Sequence, residues 1–291
     1  MFVKNKPNTE RKINMSYPRV LTIQDISCVG QCSLTVALPI ISACGVETCP
    51  LPSAVLSTHT GGFKGFTFRD LTDDMPAIKE HWLKESLKFD AIYTGYLGST
   101  KQIAYVSDII DECGKENSVT VVDPAMADHG KLYTGFDMEF VEKMKELCAK
   151  ADYVLPNVTE ACFLTATEYK EEYDRAYVDA LLEKLTALGC KNVIFTGISY
   201  KKGTTGVVVF ENGVYSYYEH EMLPNSCHGT GDIYASAFTG AIVRGKSAFA
   251  AAKLAADYTV ECIRETATEE GHWYGAKFET SLGKLIAAIN E

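Results

Sequence analysis

The sequence predicts a three-layer α/β/α fold with a mostly parallel central sheet and an antiparallel edge hairpin. Three observations carry this prediction. Short runs rich in β-branched residues alternate with longer helical stretches, the order expected of a sheet with helices on both faces. The short runs are continuously apolar rather than alternating, as central strands covered on both sides should be. Finally, Val207 to Phe210 and Val214 to Tyr218 flank Asn212-Gly213, a pair that readily supplies the two positive-φ positions of a tight hairpin.

In chain order the predicted strands are Val20 to Ile23, Ala91 to Thr94, Val119 to Val122, Tyr153 to Leu155 and Val193 to Thr196. The clearest helix runs from Ser247 to about Thr266, where Phe249, Ala252, Ala256, Val260 and Ile263 recur at helical spacing. No Pro/Gly/Ser linker, charge block or internal repeat interrupts the chain, so residues 15–291 are expected to form a single domain. Residues 1–14 are expected to be a disordered or foreign tail, with Met15 a candidate start.

The 291 residues are 46% hydrophobic and 23% charged. A chain of this size buries about three-quarters of its unfolded surface and needs no disulfide or metal staple. A net charge of −10 and a pI near 5.2 argue against nucleic acid or an anionic membrane as the main partner. No apolar run is long enough to span a bilayer, and the first fourteen residues lack the apolar core of a secretory signal. A soluble, cytoplasmic protein is expected. The ten cysteines are scattered, with no C-x-x-C pair. Cys28 and Cys32, four apart, have the spacing of one helix face; packing, rather than a metal pair, is the expected role.

In sheets of this kind ligands bind outside the carboxyl ends of the strands. The polar residues there are Gln24-Asp25, Gly95-Tyr96, Asp123, Asn157 with Glu160, and Thr196-Gly197. The most informative segment lies later, from Asn225 through Cys227-His228-Gly229-Thr230-Gly231-Asp232 to Phe238: a glycine turn opening a helix of small and apolar residues. Gly229 and Gly231 let the backbone approach a ligand, and the helix N-terminus adds partial positive charge, which together suit an anion. Asp232 falls in the first helical turn beside that hole. A turn with Asp as an ordinary first-turn residue fits the same letters. There is no G-x-x-x-x-G-K-[ST], and no G-x-G-x-x-G follows the first strand, so neither a P-loop nor a dinucleotide fold is indicated. Amides that hold a phosphoryl group beside a carboxylate that takes a hydroxyl proton are a third arrangement. The helix dipole is expected to keep Asp232 ionised, and such a weak base suffices for a loose transition state.

This segment resembles the G-[AT]-G-D signature of the ribokinase superfamily, and further features resemble its pyridoxal kinase branch. They are Ile23-Gln24, Ser57-Thr58-His59-Thr60-Gly61, Thr94-Gly95-Tyr96, Val122-Asp123-Pro124 with Asp128, and Pro156-Asn157-x-x-Glu160, in family order from about residue 18 to 265. The resemblance implies a ribokinase-like fold and ATP-dependent phosphorylation of the 5′-hydroxymethyl group of pyridoxal, pyridoxine or pyridoxamine. It implies Asp232 as catalytic base and Gly229, Thr230 and Gly231 as anion hole. Asp123, Asp128, Asn157 and Glu160 would organise Mg²⁺. Asp123, Asp128, Tyr133, Asn157, Thr196, Cys227 and His228 would face the nucleotide. Thr60 and Tyr96 would face the alcohol, together with Asp232; His59 and, on physical grounds rather than resemblance, Asp25 are further candidates for that pocket, with a solvent-facing turn cap the alternative for Asp25. A monovalent cation and a homodimer are also implied. The residues themselves leave alternatives: Asn157 and Glu160 fit a helix cap equally well, Asp123 can simply end a strand, His59 and Tyr96 can be packing residues, and adjacent Cys227-His228 seldom point at each other.

Three features depart from the family pattern. Asp25 stands where Ser is usual, the stretch from Asp25 to Pro39 is one residue short, and Gly62 stands where an aromatic is common. A carboxylate at position 25 would prefer a donor or cation on the alcohol. The identity of the alcohol is therefore open, with a hydroxymethylpyrimidine the main alternative. A catalytically silent binding protein is a further one, against which Asp232 argues.

Overall fold

The computed structural model of the protein describes residues 17–224 and 227–291. The proposed tail, Met15, Asn225 and Ser226 lie outside the described residues. Nine strands form one sheet. Its parallel centre runs, in spatial order, through β9 (Val193–Ile198), β8 (Tyr153–Val154), β5 (Gly114–Val122), β4 (Phe89–Thr94), β1 (Arg19–Ser27) and β2 (Glu47–Leu56). Beyond β9, β10 (Thr204–Glu211) and β11 (Val214–Glu221) form the antiparallel edge, with Asn212 and Gly213 at φ 52° and 80° in the turn between them. At the opposite edge β3 (Phe68–Asp70) pairs antiparallel with the end of β2.

Strands β2 and β3 were not among the predicted ones. Pro50 and Pro52 break the apolar run of β2, and proline is tolerated there because most of β2's outer edge has no neighbouring strand. A separate two-stranded ribbon pairs β6 (Ala127–Asp128) with β7 (Lys131–Leu132) over the end of β5.

Side chains alternate across the sheet into two apolar layers, which is why the strands read as unbroken hydrophobic runs. Val20, Ala91 and Tyr93 face α1 (Leu34–Ala43), α7 (Thr230–Val243) and α8 (Ala248–Thr266). Leu21, Ile23 and Ile92 face the opposite layer, which includes α3 (Thr100–Cys113) and α4 (Met138–Lys150). Helix α8 starts at the predicted Ser247, whose hydroxyl accepts from the Ala250 amide. Of the predicted stripe Ala252 and Ala256 are buried; Ala251, Ala255 and Cys262 join them, Val260 and Ile263 are half-buried, and Phe249 points out. Small residues win here because α8 must approach the equally small-residued α7 closely.

The chain turns to opposite sides of β1 on leaving and returning, so β2 and β4 flank it. In sheets of this kind such a switch point marks the ligand crevice, here at the ends of β1 and β4. Helix α7 starts beside it.

Candidate active site

Gly229, the N-cap of α7, has φ 76° and ψ 4°, a left-handed conformation. A Cβ at this position would collide with the Gln31 carbonyl oxygen of the loop after β1, so only glycine fits. No side chain caps the helix, and the first-turn amides of Thr230, Gly231 and Asp232 have no intrahelical acceptor. Gly231 is exposed, and a Cβ there would meet nothing within 4 Å. Free amides, the positive end of a helix and open space coincide at one point, the requirement for receiving an anion.

Asp232 is recessed in this turn. Burial, followed by the charge of Asp25, pushes its carboxyl up to about 7, while the Ser33 backbone amide opposes the shift. This corrects the expectation that the helix dipole keeps it a weak base. The dipole contributes about 0.3–1 kcal/mol, less than one pKa unit, and desolvation outweighs it.

A second group of acids follows β5 and opens α5. Asp123, after β5, is raised well above the ordinary carboxylate range by burial and then by Glu160 and Asp232; only the Ala125 amide, donating at 3.1 Å, opposes this. Glu160 is 2% exposed, and burial raises it too. It completes a capping box on α5 (Val158–Leu164). Asn157 Oδ1 accepts from the Glu160 amide, and Glu160 Oε2 accepts from the Asn157 amide, both at 2.9 Å. Its other oxygen accepts from the Met126 amide at 3.0 Å, and Asn157 Nδ2 donates to the Ala127 carbonyl. The capping geometry is thus present alongside the acidic cluster. Tyr133 reaches the same cluster, its hydroxyl raised by burial and by the charges of Glu160, Asp128 and Asp123. Asp128 is exposed. Among the described residues no three His, Cys, Asp or Glu side chains converge to cage a metal ion. Buried carboxylates that raise one another without a cationic side chain nevertheless suit a divalent cation that takes one or two protein ligands and keeps its waters.

Asp25 falls at a break in the β1–β2 register and is 5% exposed. Its oxygens accept from Ser27 Oγ at 3.0 Å and Ser33 Oγ at 2.5 Å. Burial raises its carboxyl, and the two serines and His59 oppose the shift. Tyr96 is half-buried, stacked on Phe136 with ring centroids 5.4 Å apart, and its hydroxyl feels the Asp25 charge. Thr60 is exposed.

His59 is engaged with the backbone. Nδ1 accepts from the Gly61 amide at 3.0 Å, so Nε2 carries the proton and donates to the Tyr274 carbonyl at 2.7 Å. Burial lowers its pKa, consistent with a neutral ring that locks loops together. Thr196 Oγ1 donates to the Pro156 carbonyl at 3.3 Å. His228 packs its ring 5.0 Å from that of His59 and over Gly61. The Cys227 thiol faces Thr266, so the adjacent pair is no nucleophile and base. Cys28 and Cys32 precede α1 and share no helix face; all ten cysteines are free.

Sequence reasoning missed the seam that closes these loops. Gly62, at φ 84°, faces the Trp273 ring, where a Cβ would stand 2.7 Å from Cζ3. Trp273 lies 4.7 Å from Phe63, which meets His59 at 5.0 Å. Gln31 ties in the C-terminal segment through Glu279 and His272. No local signal marks contacts between residues more than two hundred positions apart.

A three-layer α/β/α fold with an anion-receiving helix turn beside a recessed carboxylate defines a small-molecule phosphotransferase. The profile of the family described as phosphomethylpyrimidine kinase matches residues 38–277, and the chain belongs to that family. It is an ATP-dependent phosphotransferase of ribokinase-like fold, and pyridoxal kinases are among its relatives.

A crystal structure from Bacteroides thetaiotaomicron, assigned as a phosphomethylpyrimidine kinase, is 38% identical with a TM-score of 0.89, covering 94% of this chain and 96% of that one. A second crystal form of it was determined with pyridoxal. Pyridoxal kinase from Lactobacillus plantarum is 30% identical with a TM-score of 0.86, covering 93% and 97%. Pyridoxal kinase from Dictyostelium discoideum is 28% identical over 78% of this chain and 79% of its own.

Proposed function

We propose that this kinase transfers the γ-phosphoryl group of ATP to the 5′-hydroxymethyl group of pyridoxal, pyridoxine or pyridoxamine. One observation carries the reading: the recessed Asp232 carboxyl stands in the first turn of α7 beside free amides and the open space at Gly231. The alcohol enters the crevice between the ends of β1 and β4, against Tyr96. Asp232 accepts the hydroxyl proton as the oxygen attacks phosphorus, and a base titrating near the working pH suits that task. The amides of Thr230, Gly231 and Asp232 hold the phosphoryl oxygens where negative charge accumulates. Asp123 would hold Mg²⁺ on the phosphate side, with Glu160, Asn157 and Asp128 around it; the ion supplies charge neutralisation on the phosphates. Tyr133 and Thr196 face the nucleotide in this reading.

A hydroxymethylpyrimidine is the second candidate, favoured by the description of the family to which the chain belongs. ATP consumption against both classes of alcohol, with the product identified by mass, decides between them. Phosphorylation of the pyrimidine alone would overturn the pyridoxal reading. A homodimer, checked by analytical ultracentrifugation, is part of the same proposal.

A further inference from the structure

The loop from Gly30 to Ser33 carries three left-handed residues, Gly30 at φ 117°, Gln31 at 43° and Ser33 at 57°. Ser33 is the N-cap of α1 and has ψ −129°, a conformation that suits glycine and costs any residue with a Cβ. A serine at an N-cap normally turns its oxygen to the helix amides. Ser33 makes no such bond; its hydroxyl donates at 2.5 Å to Oδ1 of Asp25. Asp25 is itself held by Ser27 and is 5% exposed. A strained backbone whose side chain forgoes its local partner persists only if its surroundings fix it; a bridge to Ile26 pairs the Ser33 backbone, and the buried Asp25 carboxylate holds its side chain.

This loop borders the catalytic turn on two sides. The Gln31 carbonyl fills the place of a Cβ under Gly229, and Cys32 Sγ lies 3.6 Å from the same point. The Ser33 amide faces the Asp232 carboxylate and lowers its pKa, although it does not close a full hydrogen bond. Such contacts often tighten only when substrate binds.

We propose that Ser33 is a positioning residue for Asp232 and that Asp25 is its anchor. The Asp25 carboxylate holds the Ser33 hydroxyl, the hydroxyl holds the strained backbone, and the backbone holds the base and its glycine turn in register. Asp25 therefore acts on phosphoryl transfer through Ser33 rather than by choosing the alcohol. This rests on the reading of Asp232 as the base.

The test is a double-mutant cycle of Asp25→Ala and Ser33→Ala, with kcat and KM measured for pyridoxal, pyridoxine, pyridoxamine and a hydroxymethylpyrimidine. A small displacement of a catalytic group suffices for about a tenfold loss of rate, so each single variant should lose that much kcat with KM for the alcohol unchanged. The double variant should lose no more than the worse single one. Ser33→Gly, which removes the strain, should recover kcat in the Asp25→Ala background. Multiplicative losses, or a KM change that differs among the alcohols at constant kcat, would overturn the proposal. If Asp25→Ala does not fold, Asp25→Asn takes its place in the cycle. A wild type that phosphorylates none of the four alcohols overturns the proposed function instead. The Asp25–Ser33 link is then read from thermal unfolding, where additive losses would overturn it.

Discussion

A carboxyl group in the first turn of a helix ordinarily gains from the dipole, but Asp232 is dominated by its burial. Two outcomes follow at the scale of this residue. Asp232→Asn should lower kcat by roughly 10²–10⁴ and leave nucleotide affinity nearly unchanged, measured by steady-state rates and calorimetric titration. Turnover within threefold of wild type would remove it from the mechanism. The same substitution should also change how stability depends on pH. The native carboxyl is raised from 3.8 to about 7, so between those values the folded protein keeps a proton that the unfolded chain has released. The stabilisation from that proton is complete below pH 4 and lost as pH rises through 7. Ligand-free Asp232→Asn should therefore match wild type near pH 4 and exceed it near pH 8 by about 2 kcal/mol, a figure reduced for partial exposure. Parallel melting curves at the two pH values would refute this.

At the scale of single elements, the start of α7 separates two demands that its glycines meet. Gly231→Ala places a methyl where phosphate is expected but strains nothing, since the position is helical and open. It should raise stability by about 0.5–1 kcal/mol while reducing turnover and ATP affinity. Gly229→Ala meets both a left-handed φ and the Gln31 carbonyl, and should cost at least about 2 kcal/mol in denaturant unfolding. Equal effects would mean that the turn has no open side. At α5, Glu160→Gln leaves one of the two amides from Asn157 and Met126 without an acceptor, costing about 1–3 kcal/mol. It should also raise the Mg²⁺ concentration needed for half-maximal rate and leave KM for the alcohol unchanged. A change in that KM alone would place Glu160 in the alcohol pocket. The α7 turn and the α5 cap were both legible in the sequence because each is written in consecutive letters. Strand β2 was not, since Pro50 and Pro52 mask its apolar run, and the buried face of α8 was legible only at Ala252 and Ala256, because small size counts there for more than hydrophobic bulk.

Across the whole molecule, legibility falls with the distance between partners along the chain. The five predicted strands and the edge hairpin announce themselves locally, and they place Asp25, Tyr96, Asp123 and Asn157 at one rim of the sheet. The anchoring of Ser33 by Asp25 was hidden, because the sequence does not show that Ser33 turns its hydroxyl away from its own helix. The contact of Gly62 with Trp273 was equally hidden: the loop after β2 and the segment after α8 meet only when the domain is complete. That meeting gives the protein a built-in optical probe. The chain has two tryptophans, and Trp82 lies elsewhere, on α2 (Met75–Lys84) against Phe89. In a Trp82→Phe variant all indole emission comes from Trp273, which is 50% exposed beside the loop that carries His59 and Thr60. A non-absorbing alcohol that orders this loop should shift the emission to the blue, as water leaves the indole. ATP alone should leave the spectrum in place. Emission that responded to nucleotide and not to alcohol would show that the seam closes over the phosphates instead.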